Sequence, residues 1–127
     1  MKHSLKSKTK LLSIGKLKKK ADRAVQDGER KKYPGRRCEI PGCPNLYEVI
    51  HHFIPKSLSN NLRYDPKNFL YICSPHHSKF HSFAEPSMNI IVYKLKGEEW
   101  FEYIQQNRHK VKRDNRAELL EIISKYN

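Results

Sequence analysis

The apolar positions of this chain fall into a helical pattern at each end and two short runs in the middle. From Leu17 through Ala21, Ala24 and Val25 to Tyr33 a weak apolar face recurs at helical spacing, and Pro34-Gly35 ends it. Residues 47–54 are rich in β-branched and aromatic side chains and predict a strand. Phe69-Leu70-Tyr71-Ile72 predicts a second, with a polar loop over residues 57–67 between them. Ser74 suits a helix N-cap and Pro75 a first helical position, so the next helix carries His76, His77 and His81 and stops before Pro86. Residues 90–95, Ile-Ile-Val-Tyr-Lys-Leu, read as a third strand, with a helix as the other option. After Gly97, Glu98 and Glu99 suit a first helical turn, and Trp100, Phe101 and Ile104 form its buried face. Asn115 with Glu118 resembles a capping box for a last helix with apolar face Leu119, Ile122, Ile123 and Tyr126. The order predicts an α+β fold with a strand-loop-strand-helix centre flanked by N- and C-terminal helices. No internal repeat is present.

At 127 residues, with 37% apolar and 31% charged content, the chain has room for one modest core over residues 21–127. A thin core of this kind calls for a staple, either a disulfide or a metal. Three cysteines cannot all pair within one chain, no apolar run reaches membrane-span length, and no signal-peptide apolar region opens the sequence. A reducing cytoplasm is therefore expected, with the cysteines as metal ligands. The net charge of +13 is concentrated at the front: residues 1–37 hold 14 Lys/Arg against Asp22, Asp27 and Glu29. Residues 1–20, with eight lysines and no clear period, read as a flexible basic arm. Such an arm suits a polyanion, DNA or RNA first, and it lacks the large apolar face of a membrane-surface helix.

The chemistry is concentrated between His51 and His81, which hold five of the seven histidines. Cys38-x4-Cys43 and Cys73-x2-His76 are two ligand pairs that together make a Cys3His zinc set. His77 and His81 stand at i and i+4, on one helix face, when His76 goes to the zinc. The competing register gives His77 to the zinc and leaves no such pair. His51 and His52 are adjacent on a predicted strand, so their side chains leave opposite faces. One can join the helix histidines around a metal while the other stands beside it and takes a proton.

The order His51-His52-x2-Pro55, Asn68, Cys73-x2-His76-His77-x3-His81 resembles the HNH nucleases of the ββα-metal (His-Me finger) type, over about residues 36–83, roughly a third of the chain. Small standalone members of phage and bacteria carry a similar basic arm. The resemblance implies a ββα-metal core with a zinc knuckle, with residues 97–127 as helical packing. It implies a metal-dependent DNA endonuclease that nicks or cuts both strands, leaving 5′-phosphate and 3′-hydroxyl ends. By position, His52 would be the general base, and Asn68 would fix the loop across the two strands and orient that base. His51 and His77 would hold the catalytic cation, Mg2+ or another such as Mn2+ or Ni2+, with His81 a third ligand or a phosphate contact. Cys38, Cys43, Cys73 and His76 would hold structural Zn2+. Many members have Asp where this chain has His51 and a fourth Cys where it has His76. An all-imidazole site is softer and suits zinc or nickel better than magnesium. Lys56, Arg63, Lys67 and Lys79 flank the site and can grip phosphates. The expected partner is DNA, double-stranded first, in the cytoplasm of a bacterium or phage-infected host. A homodimer or a larger DNA-processing complex is left open. The rival reading is a non-catalytic, zinc-stapled nucleic-acid-binding module.

Overall fold

A computed structural model describes residues 12–82 and 87–126. Against the expected arm over 1–20 and single domain over 21–127, the described residues gather into two compact units, residues 12–34 with 113–126, and residues 35–112.

The first unit is a pair of helices. Helix α1 runs over Ile14–Lys32, so residues 14–20, expected as the end of the arm, are helical. Two local causes explain this. The Ser13 hydroxyl caps the helix by accepting from the Lys16 amide at 3.2 Å. Leu17 joins Ala21, Val25 and Glu29 on one buried face. Residues 1–11 of the expected arm lie outside the described residues. The partner is the C-terminal helix Arg116–Lys125, capped by Asn115, whose side chain accepts from the Glu118 amide. Arg116 donates to the Leu12 carbonyl and the Tyr126 hydroxyl donates to Glu29, so the two helices run in the same direction. Gly28 makes room for the Tyr126 ring, which a Cβ at that position would overlap.

The second unit holds everything the site uses. Its two-stranded antiparallel sheet pairs β1 (Val49–His52) with β2 (Phe69–Ile72), His51 facing Leu70 and His52 facing Phe69. All four β2 residues are buried, the continuous apolar run of a strand covered on both faces. Helix α2 (Ser74–Phe80) follows at once. Cys73 takes the N-cap position expected of Ser74, and Ser74 instead ties its amide and hydroxyl to the Glu48 carboxylate at 3.2 and 2.9 Å. The helix ends at Phe80, before Pro86 as expected, with His81 as its C-cap and not within it.

Residues 90–95 are not a strand: they belong to helix α3, Ser87–Lys96. The β-branched run suggested a strand, but Met88 and Val92, four residues apart, place one helical stripe in the core beside Ile40, Leu70, Ile72 and Cys73. Gly97, at φ +96, turns the chain into α4, Glu98–Arg108. Ile104 on α4 is buried with Ile54 and Leu62. With the C-terminal helix numbered α5, the described chain is an α+β assembly in the order α1-β1-β2-α2-α3-α4-α5. Among the described residues no helix is long and apolar enough to cross a membrane.

Candidate metal centre and histidine site

Residues 37–46 form the first half of the metal site by folding back on themselves. Arg37 bridges to Leu46, the Cys38 amide donates to the Asn45 carbonyl at 2.9 Å, and Gly42 supplies the left-handed residue of the turn at φ +78. Cys38 and Cys43 therefore face one point. Cys73, at the junction of β2 and α2, and His76, one turn later, face the same point from the other side. His76 Nδ1 lies 3.4 Å from Cys38 Sγ and 3.2 Å from Cys73 Sγ, and Cys43 Sγ is 3.9 Å from Cys73 Sγ. All four donor atoms fall within 4.8 Å of one another. A tetrahedral zinc, with Zn–S about 2.3 Å and Zn–N about 2.0 Å, spaces its ligand atoms about 3.3–3.8 Å apart. Cys38, Cys43, Cys73 and His76 therefore could bind a metal such as zinc. Of the two registers left open by the sequence, His76 is the one in this cluster and His77 is not.

The electrostatics suit that role. Burial pushes the Cys38 thiol up to about 11, against the lowering effect of backbone hydrogen bonds, so this sulfur wants a cation before it ionises. At Cys73 burial is outweighed by the His76 backbone hydrogen bond and by Asn45, which bring the thiol below its usual value. Burial, then the Lys79 charge, lowers His76, which favours the neutral imidazole that ligates. Glu39 secures the first cysteine loop to the unit. Its carboxylate accepts from the Tyr71 amide at 2.8 Å and from Lys96 at 2.9 Å. Arg36 lies 3.9 Å above the Tyr71 ring.

The second cluster is entirely imidazole. His51 on β1, His77 on α2 and His81 at its C-cap bring one nitrogen each within 4.8 Å. His77 and His81 meet Nε2 to Nε2 at 2.9 Å, near the spacing of about 3 Å between neighbouring imidazole ligands of one cation. His51 is pinned by Phe80, stacked at 4.6 Å between centroids, a support that sequence reasoning missed although Phe80 lies between the two helix histidines. Burial, followed by the three neighbouring histidines, pushes His51 down to about 3. His77 is lowered by burial and then by His81. His51 and His77 are thus held in the uncharged, lone-pair-donating form. His81 is exposed while His51 and His77 are half-buried, so the trio opens to solvent.

His52 leaves β1 on the other face. Its Nε2 lies 2.7 Å from the Arg63 carbonyl, and a carbonyl can only accept, so Nε2 carries the proton and Nδ1 is the basic nitrogen of the neutral ring. The edge of Phe69 packs against it. This backbone partner left no trace in the sequence. Asn68 is wholly buried. It accepts from the Ile54 amide at 2.8 Å and donates to the carbonyls of Ile54 and Leu62 at 3.0 and 3.2 Å. Its side chain sits inside the loop and closes residues 54–68 across the end of the sheet, so its geometry is that of a positioning residue. Of the four flanking cations, Lys56, Lys67 and Lys79 are exposed and Arg63 is half-buried. The Lys67 ammonium sits 4.1 Å over the Tyr103 ring, and its carbonyl accepts from Trp100 Nε1.

Comparison with protein-family models, with curated proteins and with solved structures returns no match to this chain.

Proposed function

We propose that this chain is a metal-dependent endonuclease of the HNH type that hydrolyses DNA phosphodiester bonds, with β1, the 53–68 loop, β2 and α2 as its ββα-metal core. The observation that carries the reading is the division of labour between adjacent histidines. His51 turns toward His77 and His81, while His52 turns away with its tautomer set by the Arg63 carbonyl. A site for hydrolysis needs both: donors for a cation, and beside them a base that the cation does not consume.

In this reading His51, His77 and His81 would hold the catalytic cation, and Cys38, Cys43, Cys73 and His76 a structural zinc. Once bound, that cation would supply Lewis-acid stabilisation of the charge that develops as the phosphodiester is cleaved. Everything else falls to the protein. His52 takes the proton of an attacking water at Nδ1, and the Arg63 carbonyl stabilises the imidazolium that results by accepting from Nε2–H. Asn68 keeps the loop bearing Arg63 in register with β1, so the base is already aimed. Lys56, Arg63, Lys67 and Lys79 contact neighbouring phosphates; attack of the water on phosphorus breaks the bond to the 3′ oxygen, which takes a proton from solvent, so the products carry 5′-phosphate and 3′-hydroxyl ends.

The test is plasmid nicking by the zinc-loaded chain with Mg2+, Mn2+ or Ni2+ added. Wild type nicks, and His52→Ala loses about 100-fold or more of the rate while its zinc content and melting curve stay unchanged. A fully active His52→Ala removes the assignment. One observation favours a second reading, a zinc-stapled nucleic-acid-binding module without catalysis: His77 and His81 satisfy each other directly at 2.9 Å. That reading gains if the protein binds DNA tightly yet cleaves with none of the cations.

A further inference from the structure

Five cations outside the metal clusters lie on two segments that hydrogen bonds tie together. Loop residues 55–64 contain Lys56 and Arg63 and no acid, and residues 105–112, Gln-Gln-Asn-Arg-His-Lys-Val-Lys, contain Arg108, Lys110 and Lys112 and no acid. Two asparagines of the loop bind the second segment through its backbone. Asn60 donates to the Lys112 carbonyl at 3.0 Å, and Asn61 donates to the Asn107 carbonyl at 2.9 Å. The Lys110 amide returns to Asn107, so the segment leaves α4 in a fixed turn. Its outer side faces solvent: His109, Lys110 and Lys112 are exposed, and Val111 is 95% exposed. The same loop supplies the Arg63 carbonyl that holds His52, so the cationic surface adjoins the candidate base.

A helix dipole accounts for Arg108, in the last turn of α4, but not for Lys110 and Lys112 beyond it. Glu98 and Glu99 open the helix about 14–15 Å of helix rise before Arg108 and Glu102 lies about 9 Å before it, so with a Debye length of about 8 Å at physiological salt their pull on Lys110 and Lys112, farther on, is weakened.

We propose that loop 55–64 and segment 105–112 form one binding surface for the phosphodiester backbone of double-stranded DNA, with Arg108, Lys110 and Lys112 as phosphate contacts. The proposal rests on the nuclease reading for the identity of its polyanion. Each cation that neutralises a phosphate releases condensed counterion and steepens the salt dependence of binding, so this surface has a signature that a merely solvated charge lacks.

The experiment is fluorescence anisotropy with a labelled DNA duplex and the zinc-loaded full chain, titrated at several salt concentrations with no second cation added. Arg108→Gln/Lys110→Gln/Lys112→Gln is expected to bind about tenfold or more weakly, with the slope of log K against log salt shallower by about 2 to 3. Lys110→Arg/Lys112→Arg, which keeps the charge, is expected to match wild type. Zinc content and melting temperature check that the triple variant is folded. Wild-type affinity and slope in a folded triple variant overturn the surface while leaving the nuclease reading intact. A wild-type chain that binds no duplex overturns both.

Discussion

Two adjacent residues of α2 face different clusters. His76 turns to three sulfurs at the edge of the core, where Cys38 and Cys73 are buried. His77 turns to two imidazoles at a rim where His81 is exposed. The first cluster is a four-donor set with soft ligands from a folded-back loop and a strand–helix junction, the composition of a closed structural site. The second offers three donors, which leave any four- to six-coordinate cation with positions for water or substrate. The contrast teaches that a step of one residue along a helix carries a side chain from a buried four-donor cluster to an open three-donor one.

The contrast breaks most dramatically at the staple. Cys73→Ala or His76→Ala is expected to abolish zinc binding and unfold residues 35–112, seen as loss of zinc and of a cooperative melt. Apparent zinc binding to such sites is worth about 10–16 kcal/mol, as large as the whole stability of a small domain at about 5–15 kcal/mol. His77→Ala, one residue along, is expected to leave zinc and melt unchanged and, on the nuclease reading, to lower nicking about 100-fold, read from the rate at saturating cation. Equal loss of fold in the two variants would erase the distinction. Asn68→Ala sits between: it leaves backbone groups of Ile54 and Leu62 unpaired inside the protein, at about 1–3 kcal/mol each, so denaturant melts fall to a lower midpoint with zinc retained. The smallest effect is expected from Lys79→Gln, an exposed α2 cation, which should flatten the salt dependence of DNA binding by about one unit and leave both clusters intact.

The parts legible in the sequence are those set by short-range spacing. The apolar run of β2 leading straight into Cys73, the x2 step to His76 and the i,i+4 step from His77 to His81 all survive in the structure as elements and clusters. Residues 90–95 carry the β-branched composition of a strand, yet the Met88–Val92 stripe, which begins before the run and packs on β2, makes them helical. The start of α1 was hidden among lysines, since Ser13 and Leu17 carry the signal in only two residues. The Arg63 carbonyl at His52 and the asparagine clamps from Asn60 and Asn61 were not legible at all. Each pairs a side chain with backbone many residues away, and backbone has no letter in a sequence.

The central claim is that one chain carries a closed metal site and an open one. Native mass spectrometry after exhaustive dialysis against metal-free buffer, followed by titration with Mn2+ or Ni2+, tests it most directly. One zinc per chain should survive dialysis, and a second cation should add on titration in wild type but not in His77→Ala. Two metals held equally tightly through dialysis, or a second cation that still binds His77→Ala, would contradict the account.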